Sequence, residues 1–389
     1  MMISSLLNEV DLSPRLKSFG LVIGVRGNIV ICEIPGASIG DLCKIQSRDG
    51  KHIDAQVISF ESEKVTLAPF QGVFGIAPGS KVTCTGRAPH LSIPNKLLGR
   101  VLDAFGKPIS IPSNNEKSPD TFREVSLYKT PPAALSRKKI DTQLFTGISS
   151  IDHLCPLAYG QRLGLFAGAG IGKSTLLGMI ARNTDVDVVV VGLIGERGRE
   201  VNEFISDCLG QEGLKKSVIV VSTSDEPSLM RKIGAYTAIS IAEDFRAQGK
   251  RVLLLIDSLT RMARAIRDVA LSAGEIPIRH GYPPSVYNEL PSFLERAGND
   301  EKGSISAIYT ILTDSEHESD PLAEEVKSLL DGHLVLSKKI ASSGIRPAID
   351  VLNSVSRLTN KILLPEDLYR KDIIIKILSR LSTDKDLIL

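Results

Sequence analysis

Residues 167–175 read AGAGIGKST, a lysine and a hydroxyl behind spaced glycines, which are the groups that phosphate oxygens need. Glycine backbone can turn its N–H groups towards an anion, and a helix starting there adds the positive end of its dipole. Gly168, Ala169, Gly170, Ile171 and Gly172 would cradle the phosphates, with Lys173, Ser174 and Thr175 closing the loop. Lys173 is placed to reach β- and γ-phosphates, and the Ser174 hydroxyl to ligate Mg²⁺. Ala167 takes the first glycine position of the strict GxxxxGK[ST] pattern, which is acceptable only if its φ is negative.

Two carboxylates complete this chemistry. RVLLLIDSLTR (251–261) ends an apolar run in Asp257, where a carboxylate can hold the Mg²⁺ through water. GLIGERGRE (192–200) follows the run VDVVVV and lies 23 residues beyond Lys173 by its glutamate, Glu196. One helix and one strand fit between them. A right-handed crossover then brings the second strand back parallel to the first, with both carboxyl ends on one edge. Glu196 is therefore expected to orient or deprotonate an attacking water. Arg197 joins the catalytic set as a cation holding that loop or a neighbouring chain. Arg199 and Glu200 fall in the first helical turn and read as structural.

The elements that position these residues follow from hydrophobic pattern. From about Leu144, near-continuous apolar runs alternate with helical periodicity, the signature of an α/β fold with a parallel sheet covered on both faces. RLGLFAG (162–168), VDVVVVGLI (186–194), SVIVVS (217–222), RVLLLID (251–257), SISAIYTIL (304–312) and GHLVLS (332–337) are the expected strands. KSTLLGMIARN (173–183), REVNEFISDCLG (199–210) and 227–249 are the expected helices, the second ending at Gly210. Between Leu21 and Gly86, short alternating runs split by Gly and Pro predict a small β-barrel. PISIPSNNEKSPD (108–120) reads as a surface connection. The expected division is an N-terminal segment 1–20 with a possible partner-docking helix, a β-barrel 21–87, an ATP-binding domain 88–350 and a C-terminal helical region 351–389.

Composition sets the bounds. The chain has 389 residues, enough for two or three domains, and its apolar fraction of 42% is that of a globular protein. A net charge of +2 gives no electrostatic case for nucleic acid or membrane as main partner. Five scattered cysteines without a CxxC pair fit a reducing cytosol and offer no zinc spacing, and the six histidines are dispersed. No apolar run is long enough to span a bilayer, and the first residues lack the pattern of a secretory signal.

GQRLGLFAGAGIGKSTLLGMIAR, VVVVGLIGERGREV, LLLIDSLTRMARAIRDVALSAGE, GYPPSVYNELPSFLERAG and DPLAEEVKSLLDGHLVLS together resemble the flagellar and type III secretion export ATPases, relatives of the rotary ATP synthase catalytic subunits. The likeness runs from roughly residue 20 to 360. It implies a RecA-like P-loop domain behind the barrel, with ATP and Mg²⁺ as cofactors, assembled as a homohexameric ring in the cytoplasm. That ring would sit peripherally at the inner face of the cytoplasmic membrane, under the export gate, with stalk and stator proteins. Export chaperones and unfolded protein substrates are the implied clients, with chaperone release and unfolding the implied work; direct nucleic-acid binding is not expected. The resemblance matches Lys173 and Ser174 to the phosphate loop, Glu196 to the catalytic glutamate and Asp257 to the magnesium aspartate. It also matches Arg357, in SVSRL, to an arginine finger that serves the neighbouring subunit.

Two departures stand out. The family's GxYPAID segment reads GIRPAID, so Arg346 replaces an aromatic that stacks on adenine; a guanidinium plane can stack on a base as well. The C-terminal helical region is shorter than the family pattern, which bears on ring assembly and docking. Two other readings share the phosphate loop: a hexameric nucleic-acid helicase, and a non-catalytic nucleotide-binding subunit of a rotary ATPase.

Overall fold

The computed structural model describes residues 19–110, 121–313 and 320–388. Most of the segment 1–20, with its docking helix, and of the connection 108–120 lies outside the described residues. The chain divides into two compact units, Met1–Pro89 with Ser272–Gly274, and His90–Leu271 with Glu275–Leu389.

The first unit is a closed six-stranded barrel of β1 (Phe19–Arg26), β2 (Ile29–Glu33), β3 (Leu42–Gln46), β4 (His52–Glu61), β5 (Lys64–Pro69) and β6 (Lys81–Cys84), in the order β1-β2-β5-β4-β3-β6. Alternation along each strand sends Val22, Val30, Cys43, Ile45, Leu67 and Val82 into one core. Register shifts at Val22/Gly24 and Val57/Ser59 bend the strands, and closure leaves no free sheet edge.

The second unit is built on a sheet whose core is parallel. Its strands are β7 (Arg100–Leu102), β8 (Pro108–Ser110), β9 (Arg162–Ala167), β10 (Val188–Glu196), β11 (Ser217–Thr223), β12 (Arg251–Asp257), β13 (Ser304–Leu312), β14 (Gly332–Val335) and β15 (Val355–Ser356). They lie in the order β15-β14-β9-β13-β12-β10-β11-β7-β8, parallel along this path except at its two ends, and a further two-residue strand, Gly298–Asn299, pairs antiparallel with β13. β10 is buried at every residue, as a strand covered on both faces must be. Helix α1 (Lys173–Asn183) starts directly behind the phosphate loop, and α2 (Ser228–Ala247) packs beside β10, β11 and β12. α3 (Leu259–Ser272) follows β12 almost at once. α4 (Pro284–Glu295) and α5 (Pro321–Leu329) flank β13 in sequence, and α6 (Pro365–Ile388) ends the described chain.

One helix differs from its expected bounds. The segment predicted to stop at Gly210 continues as three consecutive pieces, Gly198–Glu203, the π-helical Phe204–Leu209 and Gly210–Lys215. Gly210 has φ 65°, so it breaks the axis without ending the helical run. β10 also runs two residues further than its apolar pattern, to Glu196.

Candidate active site

Four adjacent strands bring the site together. β9 ends at Ala167 and hands over to the phosphate loop, where Gly170 and Gly172 take φ of 73° and 97°. Only glycine adopts that backbone without strain, and these two positions expose the loop's N–H groups. Ala167 is still strand, paired with Leu312 of β13, and is not among the residues of positive φ. Its methyl group is therefore harmless.

From α1, Lys173 reaches across β13 to the ends of β12 and β10. Its Nζ is hydrogen-bonded to Asp257 Oδ1 and stands 3.6 Å from Glu196 Oε1. Asp257 is nearly fully buried and also accepts a 2.7 Å hydrogen bond from the Thr310 hydroxyl of β13. The Asp257–Ser258 peptide is cis. Glu196 owes its aim to Gly195, whose φ of 71° accompanies a register shift against β11. A Cβ at Gly195 would also stand 2.9 Å from the Arg261 side chain. Arg261, in the first turn of α3, bonds the Gly195 carbonyl and pairs with Glu196 Oε2 at 3.2 Å.

The electrostatics are those of a carboxylate kept for protons. Burial and the Asp257 carboxylate push the Glu196 pKa up to about 7, against the pull of Lys173 and Arg261. Among the described residues its buried Oε1 accepts no hydrogen bond. A carboxyl that titrates near neutrality with a free acceptor atom is suited to take a hydrogen bond or a proton from water.

The same donors suit a hydrated hard cation. Ser174, in the first turn of α1, and Asp257 present oxygen ligands, as Mg²⁺ requires. No cluster of three or more His, Cys, Asp or Glu among the described residues is arranged to hold a metal. A cavity of about 320 Å³ adjoins the loop, lined by Ile171, Gly172, Met179, Leu336, Arg346 and Pro347. Arg346 stands at its wall with Nη1 donating to the Ala341 carbonyl at 2.7 Å.

Two expected residues lie apart from this cluster. Arg197 points into solvent and pairs with Glu200 at 3.2 Å, while the cations beside Glu196 are Arg261 and Lys173. Arg357 follows β15, which pairs with the first residues of β14, at the amino edge of the sheet. Its own phosphate loop is at the carboxyl edge, about 17 Å of strand away. The Arg357 side chain is exposed, with Nη2 on the Lys327 carbonyl at 3.2 Å. Arg261 and Thr310 belong to the site and had not been singled out from sequence. The signal for Arg261 is its place four residues after Asp257, in the first turn of the helix that follows.

The ATP synthase alpha/beta family model for the nucleotide-binding domain matches residues 147–356, and that for the beta-barrel domain matches 22–86. The flagellum-specific ATP synthase of Bacillus subtilis is 43% identical over 99% of this chain and 87% of its own length. The assembled ATPase EscN of the enteropathogenic E. coli type III secretion system superposes with a TM-score of 0.89 at 44% identity, covering 95% of this chain and 88% of its own. EscN in complex with its central stalk EscO gives 0.86 at 43% identity over the same shares.

Proposed function

The chain belongs to the ATP synthase alpha/beta family, and from that premise we propose that it is a protein-export ATPase using Glu196 as its water-positioning base. The observation that carries this reading is the convergence of Lys173, Glu196 and Asp257 at one sheet edge, with Glu196 titrating near 7. The relatives favour it over the nucleic-acid motor and the non-catalytic subunit.

With the triphosphate bound, the loop from Gly168 to Thr175 holds phosphate oxygens through its N–H groups. Lys173 then exchanges its internal carboxylate partners for phosphate. Ser174 and Asp257 would hold Mg²⁺, which when bound would offset charge on the phosphates. Thr310 fixes Asp257, and Arg261 fixes Glu196. Glu196 orients the attacking water and accepts its proton. Arg346 and the apolar wall of the adjoining cavity receive the base. Arg357 and Arg197 are assigned to a contact between copies, Arg357 as the finger. We extend the reading to a homohexameric ring bearing a central stalk, as EscN bears EscO. Export chaperones, unfolded substrates, gate and stator proteins are its proposed partners, at the inner face of the cytoplasmic membrane.

Steady-state phosphate release tests the base. Glu196→Gln should lower turnover by about 10² or more while nucleotide affinity stays within a few-fold. Equal and negligible release by both proteins would mean a nucleotide-binding structural subunit.

A further inference from the structure

We propose that Gln161 and Arg162 are positioning residues for Arg357, clamping the segment that carries it onto the strand that leads to the phosphate loop. This rests on the reading of Arg357 as a finger for a neighbouring copy. The node of the clamp is Asp331. Its carboxylate accepts from the Arg162 backbone N–H at 3.0 Å, from Nε at 3.1 Å and from Nη2 at 3.3 Å. Its backbone N–H donates to the Arg162 carbonyl at 2.9 Å, and its carbonyl accepts the Arg357 N–H at 3.0 Å. Gln161 is 1% exposed, and its Oε1 accepts from the Ala158 N–H at 2.9 Å. The amide nitrogen then donates to the Asp331 carbonyl at 3.3 Å and to the Ser356 hydroxyl at 3.1 Å. Behind Arg162, Glu295 accepts from Nη1 and pairs with Arg137 at 3.1 Å.

These contacts hold the Ser356 side chain and the Arg357 backbone N–H, whereas among the described residues the Arg357 guanidinium has one hydrogen bond, to the Lys327 carbonyl at 3.2 Å. The direction in which the finger leaves the chain is thus set by residues 161, 162 and 331. Both clamp residues stand at the head of β9, whose other end is Ala167 and the phosphate loop. A rigid strand of six residues joins the finger a copy offers to the loop with which it binds its own phosphates. Arg162 is suited to this, because a planar fork held by Asp331 on one side and Glu295 on the other allows little rotation. Lysine would keep the charge and lose the fork.

A mixed assembly separates this proposal from the reading beneath it. Full-length chain carrying Lys173→Ala, unable to use its own site, is mixed with chain carrying Arg357→Ala, whose sites lack a supplied finger. Phosphate release above that of either chain alone is the finger acting in trans. The donor chain is then given Asp331→Asn or, separately, Gln161→Leu. We expect the restored rate to fall about 10-fold or more, since a displacement near 1 Å can cost about 10² in rate. KM for ATP at the acceptor sites should stay within about two-fold. In an otherwise unchanged chain, either variant should bind nucleotide at its own site as before, which reports its fold. Restoration undiminished with both donors overturns the clamp. Loss of assembly mass with both donors also overturns it, by making the contacts architectural only. No restoration from the unmodified donor, in mixed assemblies of full mass, overturns the finger itself.

Discussion

The two edges of one sheet carry the candidate chemistry in opposite ways. At the carboxyl edge Glu196 and Asp257 are buried, and both are already paired with the half-buried Lys173. At the amino edge Arg357 is exposed, and among the described residues its side chain hydrogen-bonds a single backbone carbonyl. The first arrangement stores charge internally until a polyanion displaces it. The second leaves a cation uncommitted, as is required of a group that works outside its own chain. A buried cluster explains itself from one copy; an exposed arginine acquires meaning only from a second.

The largest expected effect breaks the comparison at the exposed edge. Arg357→Ala removes a side chain with almost no intrachain role, so stability should change by less than about 0.5 kcal/mol. Turnover of the assembled protein should nonetheless fall about 10³-fold or more, with nucleotide affinity mostly kept. Unchanged phosphate release in assembled protein would return Arg357 to an ordinary surface residue.

The contrast also explains which features are legible in the sequence. The parallel sheet was legible because strands covered on both faces are apolar throughout. Lys173, Ser174, Asp257 and Glu196 followed from a phosphate-loop pattern, two strand ends and one crossover rule. Arg357 and Arg346 emerged only through resemblance, since an arginine in an Asn/Ser-rich stretch or after Gly-Ile has no local signature. Arg261 lies in a strongly amphipathic helix, where charge ordinarily means solvent. Thr310 hides inside an apolar run. The Arg162–Asp331 contact joins residues 169 apart, and no local pattern announces it. The Gly210 boundary failed for a different reason: glycine at a helix end usually stops it, and here the chain resumes helical geometry after one left-handed residue.

A smaller effect sharpens the buried edge. The ionised Glu196 is the form that accepts a proton, so kcat/KM should rise with pH through about 7. Arg261 stands 3.2 Å from Oε2 and favours that ionised form. Arg261→Ala should therefore move the acid limb to higher pH and lower the rate at pH 7 by about 10-fold, while the alkaline plateau falls less. A limb that stays in place would mean that Arg261 holds only the Gly195 carbonyl and the loop. The same sign governs stability. The folded pKa lies above the usual carboxylate value, so the nucleotide-free protein loses stability as pH rises from about 4.5 through about 7. That slope should be reduced in Glu196→Gln.

The smallest effect concerns the residue that departs from the phosphate-loop pattern. Ala167 closes β9, almost fully buried, with strand backbone and a partner in Leu312. Gly170 and Gly172 carry the positive φ values, so the loop's anion-binding shape does not pass through residue 167. Restoring the consensus with Ala167→Gly removes a buried methyl group, costing about 0.8 kcal/mol. It also adds backbone freedom to a strand end, costing about 0.5–1 kcal/mol more. Denaturant unfolding should show a loss of about 1–2 kcal/mol, with kcat and KM within about two-fold of the parent. A several-fold gain in kcat from the glycine would show that the alanine restrains the loop, and that the carboxyl edge is tuned at its hinge as well as at its charges.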